Sequence, residues 1–233
     1  MSAKMNKLAV YDMDRTVTVR GTYTPFLLFM ARRTAPWRLL LAPLVVFAMA
    51  AYGLKIVSRK RLKEINMALL MGSGLSRQTL QPHIEAYADH VMAHNLHPGA
   101  RDRIASDQAE GYRVALCTAS YSLYVTAIAA RVGIASDDVI GTELESDSEG
   151  RVIARIAGEN CYDDVKIGRI LGWMAAIGVR REESHLRTYS DHISDAPMLE
   201  MADEPFAANP SAKMRALAEA RGWPILDFSQ NLR

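Results

Sequence analysis

Apolar and polar positions follow two periods along this chain. Lys7–Tyr11 (KLAVY) is a short apolar run stopping at Asp12, the pattern of a buried strand with a carboxylate at its C-terminal end. From Thr24 to Asn95 the spacing turns helical, with breaks at Thr34–Pro36, Val57–Ser58 and Gly72–Gly74. Ser76 reads as the N-cap of the helix running toward Asn95, and Pro98–Gly99 as the close of the segment. Strands and helices then alternate: helix 101–110, strand 113–117, helix 123–132, strand 138–143, and a return strand 151–156 across the turn Ser146–Gly150. Helix 163–177, strand 186–190, helix 196–201, strand 205–208, helix 212–221 and strand 224–227 follow. This order predicts an α/β fold, a doubly wound parallel sheet core with an inserted all-helical cap. The expected boundaries are 1–19 and 99–233 for the core and 20–98 for the cap.

With 233 residues there is room for one such core and a smaller insertion. The 49% apolar and 23% charged fractions exclude a disordered or fibrous chain. A net charge of +2 is too balanced for a nucleic-acid binder, so no nucleic acid is expected as partner. Two cysteines cannot build a disulfide framework, and the first sixteen residues hold no apolar run of signal-peptide type. The expectation is a reducing, cytoplasmic setting.

Charge distribution changes that picture. Arg20 to Ala100 carries 10 Lys/Arg against 3 Asp/Glu, and includes the sixteen-residue uncharged run Leu39–Leu54 (LLLAPLVVFAMAAYGL). As a helix the run is ~24 Å long, short of the ~30 Å hydrocarbon core, and Pro43 interrupts it. Two readings stand. One is a buried helix of a small helical domain. The other is a helix dipping into the inner face of the membrane, a peripheral contact anchored by Trp37, Arg38, Lys55, Arg59, Lys60, Arg61 and Lys63. Lys55, Lys60 and Lys63 read as a solvated basic face.

Open α/β sheets place ligand sites at the carboxyl ends of their strands. The first strand ends in Asp12-Met-Asp14-Arg-Thr16, two carboxylates able to leave on one side. The second ends in Cys117-Thr118-Ala119-Ser120, hydroxyls and N–H groups at an expected helix start. Lys166 lies near the start of a later helix, and the next strand ends in Asp191-His-Ile-Ser-Asp195. Carboxylates converging on one point repel unless a cation joins them, and hard oxygen ligands suit Mg²⁺. Thr118 and Lys166 complement a phosphoryl group. His83, His90, His94 and His97 have helical spacings, but no clear fourth ligand joins them, so they read as solvated or packing residues.

In order and spacing, these four motifs resemble the haloacid dehalogenase superfamily, in its phosphoserine-phosphatase-like branch, across essentially the whole chain. The resemblance implies a Rossmann-like core and a Mg²⁺-dependent phosphatase. It implies Asp12 as the nucleophile forming an aspartyl-phosphate and Asp14 as the acid and base. Mg²⁺ would be held by Asp12, Asp191 and the backbone carbonyl of Asp14. Thr118 and Lys166 would bind phosphoryl oxygens, with Thr16, Ser120 and Asp195 in support. The amino-group-reading acid that phosphoserine phosphatases carry after the first motif has no counterpart here before Glu64. The expected substrate is therefore a small phosphorylated metabolite or a lipid phosphate such as phosphatidylglycerophosphate. The alternative is a regulator on the same scaffold, acting through its basic, apolar cap.

Overall fold

The computed structural model describes residues 5–231. Strand β1 (Asn6–Tyr11) leads into a helical segment of α1 (Tyr23–Thr34), a 3₁₀ stretch (Pro36–Leu41), α2 (Ala42–Gly53), α3 (Arg59–Leu70) and α4 (Arg77–His94). Next come α5 (Pro98–Ala109), β2 (Arg113–Tyr121), α6 (Ser122–Arg131), β3 (Val139–Thr142), β4 (Leu144–Ser146) and β5 (Val152–Ile156). The described part ends with α7 (Asp164–Ala176), β6 (Ser184–Ser190), α8 (Ala196–Glu200), β7 (Glu204–Ala208), α9 (Ala212–Arg221) and β8 (Ile225–Leu226).

Six strands make one parallel sheet in the order β3-β2-β1-β6-β7-β8, while β4 and β5 form an antiparallel hairpin. This is the expected α/β architecture. Alternation along β1 assigns the two layers. Leu8 and Val10 pack with Ile170, Trp173, Met198 and Met214 of α7, α8 and α9. Ala9 and Tyr11 belong to the opposite layer, with Ile104 of α5, Val125 of α6 and the inner faces of the helical segment. β1 lies between β2 and β6, so the strand order reverses there, and the crevice beyond its carboxyl end is where such sheets bind ligands.

Three expectations need correction. Pro98–Gly99 opens α5 rather than closing the preceding segment; proline suits the first helical turn, where its missing N–H loses no bond. Gly99 is a close approach, since a Cβ there would stand 2.4 Å from the backbone oxygen of Gln230. Second, β2 runs on to Tyr121, past a register shift against β3, so Thr118 and Ser120 sit on an extended strand end and α6 starts only at Ser122. The Ala119 carbonyl is held there by the Thr142 hydroxyl at 2.7 Å and by the Lys63 amine at 2.5 Å.

Third, the Leu39–Leu54 run is not buried. α2 buries only Ala48, and Phe47 is 72% exposed. α2 packs on α3 and the 3₁₀ stretch, so most of its surface meets no other layer. By length and composition Pro36–Gly53 is the one described helix able to span a membrane. Five residues, 54–58, reach only ~18 Å at full extension, too short to return across ~30 Å. α3 nevertheless packs back against α1, so in this fold α2 lies on the surface rather than crossing.

Candidate active site

A sharp turn separates the two carboxylates that leave β1. Arg15 adopts φ +71°, a left-handed conformation uncommon outside glycine, and the N–H groups of Val17 and Thr18 both donate to the Met13 carbonyl at 3.0 Å. Asp12 and Asp14 consequently meet different partners. Asp12 accepts from the Lys166 amine at 2.6 Å, and Lys166 also donates to Asp195 Oδ2 at 2.8 Å. Asp14 is fixed by the N–H and hydroxyl of Thr22, both 2.7 Å from its Oδ1, and by the Ser120 hydroxyl 2.7 Å from its Oδ2. Ser190 donates to Asp195 Oδ2 at 2.6 Å, and Thr16 to Asp191 Oδ1 at 3.4 Å. Thr118 accepts from the Ser120 N–H at 3.1 Å. Asp12, Asp14, Thr118, Ser120, Lys166, Asp191 and Asp195 all line one cleft of about 410 Å³, with Thr16 buried behind Asp191.

Electrostatics at this end are unbalanced toward anions. Burial pushes the Asp12 carboxyl well above its usual range, opposed by Lys166 and reinforced by Asp195 and Asp191. Burial likewise lifts Asp191 to about 6, against the pull of His192. Burial works against the charged form of Lys166, but Asp12 and Asp195 outweigh it and hold the ammonium protonated. Lys166 is bonded to two of the three buried carboxylates, Asp12 and Asp195, and Asp195 Oδ1 has no hydrogen-bond partner. That oxygen-rich excess of negative charge fits a hard divalent cation. Among the described residues no three ligand-type side chains form a closed cage. Asp12 and Asp191, the side chains that the resemblance implies as ligands, both line the cleft.

The helical segment supplies residues that the sequence reading did not find. Lys63, expected on a solvated face, is buried in the cleft wall, its amine 2.5 Å from Ala119 O and 2.8 Å from Asn160 Oδ1. Burial lowers its pKa to about 7, with Asp14 opposing the shift. Lys63, Asn66, Met67 and Leu70 share the inward stripe of α3, and two polar residues in an apolar stripe were the available signal. Thr22 and Asn160 carried no comparable mark.

The haloacid dehalogenase-like hydrolase family model matches residues 9–200. The chain belongs to this family. It is 32% identical over 148 residues to a histidinol-phosphatase of Neisseria meningitidis, covering 63% of this chain and 65% of that protein. It is 32% identical over 145 residues to phosphoserine phosphatase SerB1 of Mycobacterium tuberculosis, covering 62% and 45%. The chain therefore matches less than two thirds of the length of each. A Bordetella pertussis crystal structure of unknown function superposes with a TM-score of 0.84 at 28% identity, over 97% of this chain and 100% of that one. This haloacid dehalogenase-like fold brings together the four motifs that lie far apart in sequence.

Proposed function

We propose that this haloacid dehalogenase-like hydrolase is a Mg²⁺-dependent phosphomonoesterase working through an aspartyl-phosphate. One observation carries the reading: a buried carboxylate paired with Lys166 shares a cleft with a second carboxylate that Thr22 and Ser120 aim separately. Asp12 attacks phosphorus while Asp14 gives its proton to the departing alkoxide oxygen, and the ester P–O bond breaks. Asp14, now a carboxylate, takes a proton from water as the water oxygen attacks phosphorus; the bond to Asp12 breaks and phosphate leaves. Thr118 and Lys166 hold the phosphoryl oxygens, and Asp195 and Ser190 keep the Lys166 amine in place. Bound Mg²⁺, held by Asp12, Asp191 and the Asp14 carbonyl, would neutralise phosphoryl charge. A purely regulatory role is disfavoured by the intact set Asp12, Asp14, Lys166 and Asp191.

The substrate is a small phosphorylated metabolite or a lipid phosphate. The exposed α2 favours the lipid source: Leu44, Val46, Phe47 and Met49 face solvent, and Met49, Tyr52 and Arg59 line the cleft. In this reading the protein works in the cytoplasm, with residues 20–98 as a cap touching the inner membrane face. The test is phosphate release, with Mg²⁺ and with EDTA, from phosphatidylglycerophosphate micelles, phosphoserine and an aryl phosphate, using Asp12→Ala as blank. The expected result is Mg²⁺-dependent release that the variant lacks. Full turnover in EDTA, or by Asp12→Ala, refutes the mechanism.

A further inference from the structure

Two cysteines occur in the 233 residues, and the fold brings them to one place. Cys117, on β2, and Cys161, in the connection between β5 and α7, are 44 residues apart in sequence, yet their Sγ atoms lie 3.9 Å apart. Both side chains are fully buried, and the Cys161 sulfur also faces the Ile140 carbonyl at 3.7 Å. Neither takes part in the chemistry above, but their chain neighbours line the cleft: Thr118 after Cys117, and Asn160 and Tyr162 on either side of Cys161. The sulfurs thus stand one residue behind the cleft wall, a short path from any water-sized molecule that enters. Cys117 donates toward the Cys161 sulfur, and this bond, aided by Lys166, holds the Cys161 thiol below its usual range against the opposing effect of burial. Burial pushes the Cys117 thiol up. One sulfur of the pair is favoured as thiolate while the other keeps its proton.

We propose that Cys117 and Cys161 are a redox modification site, closing to a reversible disulfide under hydrogen peroxide and thereby switching the cleft off. The Cys161 sulfur attacks one peroxide oxygen, the O–O bond breaks, and the departing hydroxide takes up the thiol proton as water, leaving a sulfenic acid. The Cys117 sulfur then attacks the Cys161 sulfur; the S–O bond breaks, and the second hydroxide leaves as water with the Cys117 proton. The two sulfurs together lose two electrons, which reduce the peroxide. A disulfide of about 2.0 Å requires the sulfurs to close by about 1.9 Å. Cys117 is held in the sheet between β1 and β3, so the connection 157–163 makes the movement. Two parts of the site travel with it. The Cys161 N–H donates at 3.0 Å to the Thr142 hydroxyl, which holds the Ala119 carbonyl between Thr118 and Ser120 at 2.7 Å. Helix α7 starts at Asp164 and carries Lys166, whose amine is 2.6 Å from Asp12. A misplacement of about 1 Å can cost about 100-fold in rate. In a reducing compartment a disulfide is transient, which suits sensing rather than stapling. The loss of turnover rests on the phosphatase reading above; the disulfide does not.

The test treats the intact protein with hydrogen peroxide, then denatures it, alkylates free thiols and maps peptides by mass spectrometry without reductant. The expected product is a peptide pair linked through Cys117 and Cys161 within one chain, lighter by two hydrogens. Turnover of an aryl phosphate with Mg²⁺ should fall at least about tenfold in step with the linkage, and dithiothreitol should restore both. Cys161→Ala and Cys117→Ala should keep their turnover under peroxide, which separates the pair from methionine oxidation, a lesion that dithiothreitol leaves in place. Should both variants fail to fold, the wild-type time course of linkage and turnover decides. Thiols that stay free, that oxidise to sulfinic acid without linkage, or that link only between chains overturn the site. A fully linked protein with unchanged turnover overturns the switch. If the reduced protein cleaves no ester, the phosphatase reading falls, and the linked peptide decides the site by itself.

Discussion

Helices α2 and α3 are neighbours in sequence and invert the usual rule. α2 (APLVVFAMAAYG) has no charged residue and buries only Ala48, whereas α3 (RKRLKEINMALL) has five and buries Lys63, Glu64, Asn66, Met67 and Leu70. Burial follows the facing surface, not composition. α3 turns its inner stripe to the sheet end and the β5 edge, where Glu64 accepts the Ile156 N–H at 3.0 Å. α2 stands outside α3, so apart from Ala48 and Val45 its apolar side chains lie largely exposed. Of the polar residues buried on α3, Lys63 and Asn66 line the cleft and Glu64 holds the β5 edge, while most apolar residues of α2 face solvent.

The largest expected effect tests this inversion through stability. Met67→Ala, at a fully buried site, should cost about 2–5 kcal/mol, whereas Phe47→Ala should change stability by no more than about 0.5 kcal/mol. Denaturant unfolding reads both. A comparable loss at Phe47 would mean that α2 packs against the body of the protein.

A smaller effect concerns what α2 meets. Flotation with vesicles should recover the protein with anionic lipid and much less with neutral lipid. Removing Lys55 or Lys60 should weaken that binding by about 1 kcal/mol each, roughly fivefold. Phe47→Glu should release the protein while leaving aryl phosphate turnover intact. Equal recovery on neutral vesicles would remove the charge half of the account, and no recovery on either would remove the membrane contact.

The contrast also explains what was legible beforehand. The sheet and most of its site were readable because the strand-end residues follow short apolar runs, as at Tyr11-Asp12 and Tyr189-Ser190-Asp191. A strand end is a local signal that fixes where a side chain emerges. The extension of β2 was hidden because long-range bonds from Lys63 and Thr142 hold Ala119 in line. Lys63 itself was masked by Arg59, Lys60 and Arg61, since a cluster of cations looks solvated unless the helix stripe is read first. Hydropathy described α2 correctly as apolar, but says nothing of the surface it faces. That information lies in the tertiary arrangement.

The most direct test of the central claim uses Asp14→Asn, which keeps the nucleophile and removes the base needed for the second half-reaction. After mixing with an aryl phosphate and Mg²⁺ and an acid quench, peptide mass spectrometry should find a phosphoryl group on the peptide bearing Asp12. The same peptide from Asp12→Asn should carry none. Stoichiometric release of the aryl alcohol and phosphate by Asp14→Asn, with Asp12 unmodified throughout the time course, would contradict covalent catalysis at this site.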